Sequence, residues 1–473
     1  MTLRQIRCHL PLIIATAALI AAGTIAPAAQ TPPLSQDLRD RIDAAARQVL
    51  SSTGVPSASV AIVRDGQLAY AHAYGDASLE PRVPARPEMR YSIGSISKQF
   101  TATAVLLLAE QGKLSLDDKV SRFLPGPTRA GEVTIRQLLS HTSGYQDYWP
   151  QDYVPPFMLQ PITAAKIVDL WARKPLDFEP GTQWQYSNTG YVMAGLIVEK
   201  AAGVPLMTFL RDHIFGPLGM QNVADVDQGK LTQPDPVGYL RYALGPLRPA
   251  PKEGAGWLFA AGELAMPATE LAKWDIGIID QRLLKPASYQ AMETEVLLKN
   301  GRSSRYGFGL SIRTDNGRRA LEHDGEVSGF TAENVIYPDD RAAIIVLTNE
   351  DAVGAASDIA RRIAPLLFVV QDAEAASYLQ KIRAIFEALQ QGKIDRSLFT
   401  SNCNAYLSDQ AVQDMAGSLG PLGAPQSFTQ TSRSERGGMT FRAYQVRLGQ
   451  KSVIVTVRTM PDGKIEQYQI AAG

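Results

Sequence analysis

The sequence predicts an α+β fold built on an antiparallel sheet flanked by helices, followed by a smaller α+β domain. Three observations lead there. Apolar strands in hairpin arrangement stand at both ends of residues 29–370, at Ser57 to Arg64 with Leu68 to Tyr74 and at Thr331 to Tyr337 with Ala342 to Thr348. Between them runs a helix-rich middle whose segment Phe100 to Ala109 is apolar on every face, so it needs covering elements all round. Beyond Pro365 to Gln371 the pattern changes to one amphipathic helix and a strand meander, which sets a domain boundary near residue 371.

Taken in order, residues 1–28 read as a secretory signal. Arg4 and Arg7 precede an apolar stretch from Leu10 to Ile25, and Ala26-Pro27-Ala28 is a small-residue cleavage site, so the mature chain is expected to start near Ala29 in a periplasmic or secreted setting. An uncleaved anchor is the other reading. Thr16, Gly23 and Thr24 interrupt the stretch, which falls short of the ~20 apolar residues a span needs.

Leu34 to Leu50 has helical spacing (Leu38, Ile42, Ala46, Val49) and ends before Thr53-Gly54. Asp65-Gly66 is a two-residue hairpin signal between the first two strands. Helices are expected at Ile135 to Leu139, Tyr191 to Ala202 and Leu206 to Ile214, with Phe215-Gly216-Pro217-Leu218-Gly219 as a loop. Pro338 to Arg341 turns the later hairpin. In the last domain, residues 371–473, Ile382, Ile385, Phe386 and Leu389 mark one helix ending at Gly392. Strands follow at Phe428 to Ser434, Met439 to Leu448, Ser452 to Met460 and Lys464 to Ile470.

The 473 residues carry 47 basic and 47 acidic side chains and are 45% hydrophobic, which excludes a disordered or collagenous chain. Without Arg4 and Arg7, 45 basic face 47 acidic residues, so nucleic acid is not an expected partner, and no later segment is long and apolar enough to span a membrane. Cys8 leaves with the signal. Cys403 then stands alone and reads as a small buried hydrophobe. His72, His141, His213 and His323 show no metal spacing, and no cofactor is expected.

The chemistry is carried by Ser95-Ile96-Ser97-Lys98 at the start of the buried helix. A lysine three residues after a serine lies on the same helical face, the helix N-terminus favours a developing alkoxide, and burial lowers the lysine toward a useful base. About one chance S-x-x-K is expected in a chain this long, so the motif needs company. Tyr186-Ser187-Asn188 supplies it from a polar turn: a tyrosine beside a lysine can act as base, and Asn188 can orient the lysine and bind a substrate carbonyl. His323-Asp324-Gly325, at or near a strand, brings backbone close to a ligand, and the N–H of Glu326 with that of Ser95 can form an oxyanion hole. Trp257 and Phe259 belong either to the cleft or to the core.

These three motifs in this order resemble the serine β-lactamase-related hydrolases, in particular the class C β-lactamase, D,D-carboxypeptidase, D-aminopeptidase and esterase group. Tyr91-Ser92-Ile93-Gly94, Leu138 to Gly144 and Tyr306-Gly307-Phe308-Gly309 agree with it, over roughly residues 35 to 368. The resemblance implies a β-lactamase/penicillin-binding-protein-like fold with a helical subdomain packed on the sheet. It also implies that Ser95 forms an acyl-enzyme, Lys98 and Tyr186 move protons, and Asn188, His323, Gly325 and Glu326 contact a small-molecule or peptide substrate. Class C β-lactamases carry Lys-Thr-Gly where this chain has His323-Asp324-Gly325, so a D-peptide, amide or ester is expected ahead of a penicillin. His141, in Ser-His-Thr-Ser-Gly, is expected to order its loop. A true β-lactamase and a catalytically silent receptor for wall peptides are the competing readings. The last domain resembles, in element order alone, the folds related to nuclear transport factor 2.

Overall fold

The structure is a computed structural model that describes residues 34–315, 317–368 and 375–472. The signal segment 1–28 and the boundary near residue 371 lie outside the described residues. The chain divides into two compact units, Met1–Phe368 and Val369–Gly473.

In the first unit, α1 (Gln36–Thr53) starts at Ser35, whose side chain accepts the Leu38 N–H, and stops at Gly54 in the left-handed conformation, φ 78. β1 (Ser57–Arg64) and β2 (Gln67–Leu79) form the hairpin around Asp65-Gly66, with Arg64 opposite Gln67. β3 (Arg82–Pro84) pairs with the end of β2. The helices α2 (Ser97–Glu110), α3 (Ile135–Leu139), α4 (Asn188–Ala202) and α5 (Ala268–Ile279) make up much of the helical middle. The chain then runs through β4 (Ser311–Asp315), β5 (Arg318–Val327), β6 (Phe330–Tyr337) and β7 (Ala342–Thr348), and ends in α6 (Ala355–Leu367). These strands form one seven-stranded sheet in the order β3-β2-β1-β7-β6-β5-β4. The first strand pairs with the last, Ala58 opposite Thr348, so the ends of the unit close its sheet.

Alternation along the strands sends side chains to two cores. Val60, Ile62, Val335, Ile344 and Val346 pack under α1 and α6. Ala61, Val63, Ile336, Ile345 and Leu347 face the helical middle, where α2 is buried along most of its length.

Several elements differ from expectation. α4 begins at Asn188 rather than near Tyr191 because Ser187 caps it, its hydroxyl accepting the Gly190 N–H at 3.2 Å. The expected helix Leu206 to Ile214 opens after Leu210 into a π-turn, Arg211–Phe215. The expected loop after it is a further helical turn, Gly216–Leu218, in which Pro217 occupies a first-turn position whose N–H needs no partner. His323, expected at or near a strand, does stand in one, β5, hairpinned to β6.

The second unit holds α7 (Ala375–Gln390), α8 (Ser401–Tyr406) and α9 (Asp409–Leu419), then β8 (Ser427–Arg436), β9 (Met439–Leu448), β10 (Lys451–Thr459) and β11 (Ile465–Ala472), an antiparallel sheet in sequence order. α8 and α9 were not expected. They are short, capped by Thr400 and Ser408, and bury only Cys403, Val412 and Leu419 between them, so their apolar spacing is faint. Cys403 lies in the core with Phe399 and Leu407. Among the described residues no single helix is long and apolar enough to cross a membrane.

Candidate active site

Ser95 sits in the 3₁₀ turn Gly94–Ile96 that leads into α2, so its side chain leaves the backbone at the helix N-terminus. That turn is clamped against β5. A Cβ at Gly325 would lie 2.0 Å from the Ile93 carbonyl oxygen, and one at Gly94, where φ is +50, would lie 2.7 Å from the Glu326 nitrogen. Both positions demand glycine, and the close approach sets the Glu326 backbone N beside the Ser95 turn, the arrangement an oxyanion hole needs. The Glu326 side chain turns elsewhere and accepts the Ala352 N–H at 3.1 Å.

Lys98 follows on the first turn of α2, fully buried, with Nζ donating to Ser95 Oγ at 2.9 Å and to the Ala261 carbonyl at 2.7 Å. Burial brings its pKa down to about 7, against the opposing pull of Asp147, Glu263 and Asp324. The rest of the α2 start is tied to its surroundings. Ser97 accepts the Leu264 N–H, and Gln99 bridges Asn334 and Trp274. The serine–lysine pair is therefore held by satisfied polar neighbours on a rigid helix.

Tyr186 precedes the Ser187 cap of α4. Its ring lies under Lys98 Nζ at 5.0 Å and against His141 at 4.2 Å between ring centres. Its hydroxyl is buried beside the Ser95 hydroxyl. Burial pushes the phenol well above its usual pKa, with the Ser95 hydroxyl pulling the other way, so the resting group is a neutral phenol. His141 Nδ1 accepts the Ser187 N–H at 3.1 Å, which ties its loop to the turn carrying Tyr186.

Asn188 corrects an expectation. Its Nδ2 donates to Asp147 at 3.0 Å and its backbone N–H to the same carboxylate at 3.1 Å, so its described partner is Asp147 and not Lys98. Burial raises the Asp147 pKa to about 6, less the help of the bonds from Trp149 and Asn188 and the nearby Lys98. No motif marked Asp147, which stands forty-one positions from Asn188 in the chain. Glu263 was missed as well. It is buried next to the Ala261-Gly262 segment, neither carboxyl oxygen has a partner among the described residues, and burial lifts its pKa to about 8.

His323 is buried on β5 with its ring 6.1 Å from Tyr186. Nδ1 donates to the Asp324 carbonyl at 2.5 Å, which leaves Nε2 to accept the Tyr306 hydroxyl at 2.9 Å. Burial lowers its pKa below the usual histidine value, so this ring is a neutral imidazole and does not replace the cation of a Lys-Thr-Gly triplet.

Ser95, Tyr186, Asn188 and Glu326 line a cleft of about 540 Å³, whereas Lys98, His323 and Gly325 stand outside its lining. Leu258 lines it, whereas Trp257 is buried, with Nε1 donating to the Gln160 carbonyl at 2.8 Å. A serine hydroxyl hydrogen-bonded to a buried amine, a buried phenol beside it and nearby backbone donors are the kinds of group that acyl transfer needs.

Comparison with known proteins agrees with that chemistry. The chain is 30% identical over 309 residues to penicillin-binding protein 4* of Bacillus subtilis (strain 168), a stretch covering 62% of this chain and 68% of that one. It is 28% identical over 337 residues to a D-aminopeptidase of Brucella anthropi, covering 70% and 63%. The chain thus spans about two thirds or less of the length of these two relatives. Among solved structures, the octameric penicillin-binding protein homologue from Pyrococcus abyssi superposes with a TM-score of 0.63 at 22% identity, covering 91% of this chain and 99% of that one. D-amino acid amidase from Ochrobactrum anthropi SV3 does so at 0.64 and 24%, covering 70% and 99%. At these identities the superpositions establish the fold. Residues 42–367 match the family model described as beta-lactamase, and the chain belongs to that family of serine hydrolases.

Proposed function

We propose that this chain cleaves an amide, peptide or ester bond through an acyl-enzyme on Ser95, with a D-amino-acid-containing peptide, amide or ester as the substrate class. The observation that carries the reading is the 2.9 Å contact between Ser95 Oγ and a buried lysine whose pKa stands at about 7. Near neutral pH a large share of Lys98 is the free amine, which accepts the Ser95 proton as Oγ bonds to the substrate carbonyl carbon. The carbonyl oxygen becomes the oxyanion between the N–H groups of Ser95 and Glu326. As the carbon–nitrogen or carbon–oxygen bond breaks, the neutral Tyr186 phenol gives its proton to the leaving atom, a task suited to a group whose pKa is held high. Water then attacks the ester, giving its proton to the Tyr186 phenolate, and as the ester carbon–oxygen bond breaks Lys98 returns its proton to Ser95 Oγ, which restores all three groups. The neutral His323 offers no charge to a β-lactam carboxylate, and relatives named D-aminopeptidase support the D-amino-acid substrate class. Export with cleavage near Ala29 is part of the proposal.

The test incubates the protein, made from the full chain, with a fluorophosphonate, a fluorescent penicillin, p-nitrophenyl esters and D-amino-acid p-nitroanilides, beside Ser95→Ala. Labelling or turnover in the parent that falls by about 10³-fold or more in Ser95→Ala is the expected outcome. Turnover of the penicillin above the other probes would favour the β-lactamase reading, and inertness toward all of them the receptor reading. N-terminal sequencing of the exported product reads the cleavage site.

A further inference from the structure

The steps above give no part to Asp275 on α5, an acid shut off from solvent behind the catalytic helix. Its Oδ2 accepts the Asn334 amide N–H at 2.8 Å. Asn334, on β6, accepts in turn at Oδ1 from Gln99 Nε2 at 3.0 Å, and Gln99 Oε1 accepts the Trp274 indole N–H at 2.7 Å. Trp274 and Asp275 are neighbours on α5, so the bonds form a ring that starts and ends on one helix and passes through α2 and β6. All four side chains are buried.

The direction of the ring is fixed by chemistry. An indole nitrogen only donates, which makes Gln99 Oε1 the acceptor and Nε2 the donor. Asn334 must then accept at Oδ1 and donate from Nδ2, and Asp275 is left to accept. Each amide therefore has one orientation that satisfies the ring. Burial holds the Asp275 carboxyl well above its usual pKa, opposed by the Asn334 bond, and Oδ1 has no partner among the described residues. A charge at that place would be costly, whereas a neutral carboxyl oxygen still accepts the Asn334 N–H.

The ring also grips the chain next to the nucleophile. Gln99 follows Lys98, and the next residue, Phe100, packs on Trp274 with 4.3 Å between ring centres. On the same stretch of backbone, a Cβ at Gly309 would lie 2.9 Å from the Gln99 Cα and from the Lys98 carbonyl oxygen, so the Tyr306-to-Gly309 loop presses on those two residues. Asn334 stands opposite His323 in the β5–β6 pairing. The rotation and height of the first turn of α2 are thus set against α5 and β6, and with them the 2.9 Å contact of Lys98 with Ser95. A misplacement of about 1 Å at reacting groups can cost about 10²-fold in rate.

We propose that Asp275 is a positioning residue for the Ser95–Lys98 pair, acting through Asn334 and Gln99 as a hydrogen-bond acceptor and not as a charge. The inference rests on the serine-hydrolase reading above.

Asp275→Leu, Asp275→Asn and Gln99→Met test it, each checked for folding by urea unfolding. Turnover is measured with a p-nitrophenyl ester. Independently of turnover, the Lys98 titration is followed by NMR on protein with isotope-labelled lysine and assigned by its absence in Lys98→Met. Asp275→Leu and Gln99→Met are expected to lower kcat by about tenfold or more with KM within about twofold. Both should displace the Lys98 titration downward as Nζ moves off the Ala261 carbonyl, which favours the ammonium form. Asp275→Asn keeps an oxygen for the Asn334 N–H, so its kcat should stay within about threefold of the parent and its Lys98 titration in place. Gln99→Met keeps the test decisive should Asp275→Leu not fold. Unchanged kcat and Lys98 titration in folded Gln99→Met, or an Asp275→Asn as impaired as Asp275→Leu, overturns the inference. A parent protein that turns over no ester counts instead against the acyl-enzyme reading, and the Lys98 titration still decides the positioning.

Discussion

The two faces of the seven-stranded sheet are built under different rules. The face under α1 and α6 is an apolar core of residues such as Val60, Ile62, Ile344, Val346 and Ile359, and among its described buried acids is Glu333, bonded to Ser357 on α6. The face toward the helical middle buries a lysine, two histidines and an unpartnered acid (Lys98, His141, His323 and Glu263). The first arrangement is what burial free energy alone favours. The second costs stability at each desolvated group and makes sense only if those groups work, which is why the contrast locates the chemistry as firmly as any motif.

The contrast predicts opposite outcomes for substitutions on the two faces, and this is the largest expected effect. Lys98→Met should lower kcat by about 10³-fold or more while leaving the thermal midpoint unchanged or raised, since a desolvated amine is replaced by an apolar chain of similar length. Ile344→Ala, fully buried on the other face, should cost about 2–5 kcal/mol of stability, read by urea unfolding, and leave the kcat of the folded protein unchanged. A large loss of stability in Lys98→Met with little loss of rate would reverse the comparison.

A smaller effect follows from pH. Lys98 must be unprotonated to accept the Ser95 proton, so kcat/KM should rise with pH through about 7 and be lost below it. Stability carries the same signature with a definite sign. The folded pKa lies below the value of 10.5 taken for an unperturbed lysine, so between about 7 and that value the unfolded chain binds a proton the native one does not, and stability gained with rising pH should be greater in the parent than in Lys98→Met. His323 should add no limb near neutrality. A kcat/KM profile flat between pH 5 and 9, measured with a neutral ester, would remove Lys98 from the role of base.

How much of this was legible in the sequence also divides along the two faces. Hairpins and core helices answer to local pattern: Asp65-Gly66 joins β1 to β2, and the all-apolar run in α2 announced its burial. The nucleophile and its neighbours were visible through short motifs, Ser95-x-x-Lys98 above all. β5 was hidden in part because one face of it is written in charges, with Glu322, Asp324 and Glu326 at alternate positions, the last two lining the cleft. The protonation states of Tyr186 and His323 were not legible for a related reason. Both depend on burial by chain segments remote in sequence, and a motif carries no record of desolvation. Asp147 and Glu263 were invisible on the same ground.

Asp147 gives the smallest predicted effect and the most discriminating one. In Asp147→Asn one amide oxygen can still accept a single N–H from Asn188, but the new amide N–H₂ faces a second donor, so Asn188 loses part of its fixed orientation. An unsatisfied buried donor of this kind costs on the order of 1–3 kcal/mol, and about a tenfold fall in kcat/KM is expected where Asn188 touches substrate. Asp147 also contributes most among the acids that hold the Lys98 pKa up, so its neutralisation should move the acid limb of the profile to lower pH. A purely structural defect would lower the plateau without moving the limb. A limb displaced downward together with a lowered plateau would show that the polar face is a single coupled network reaching from Asp147 to Lys98, whereas an unmoved limb would confine Asp147 to holding Asn188.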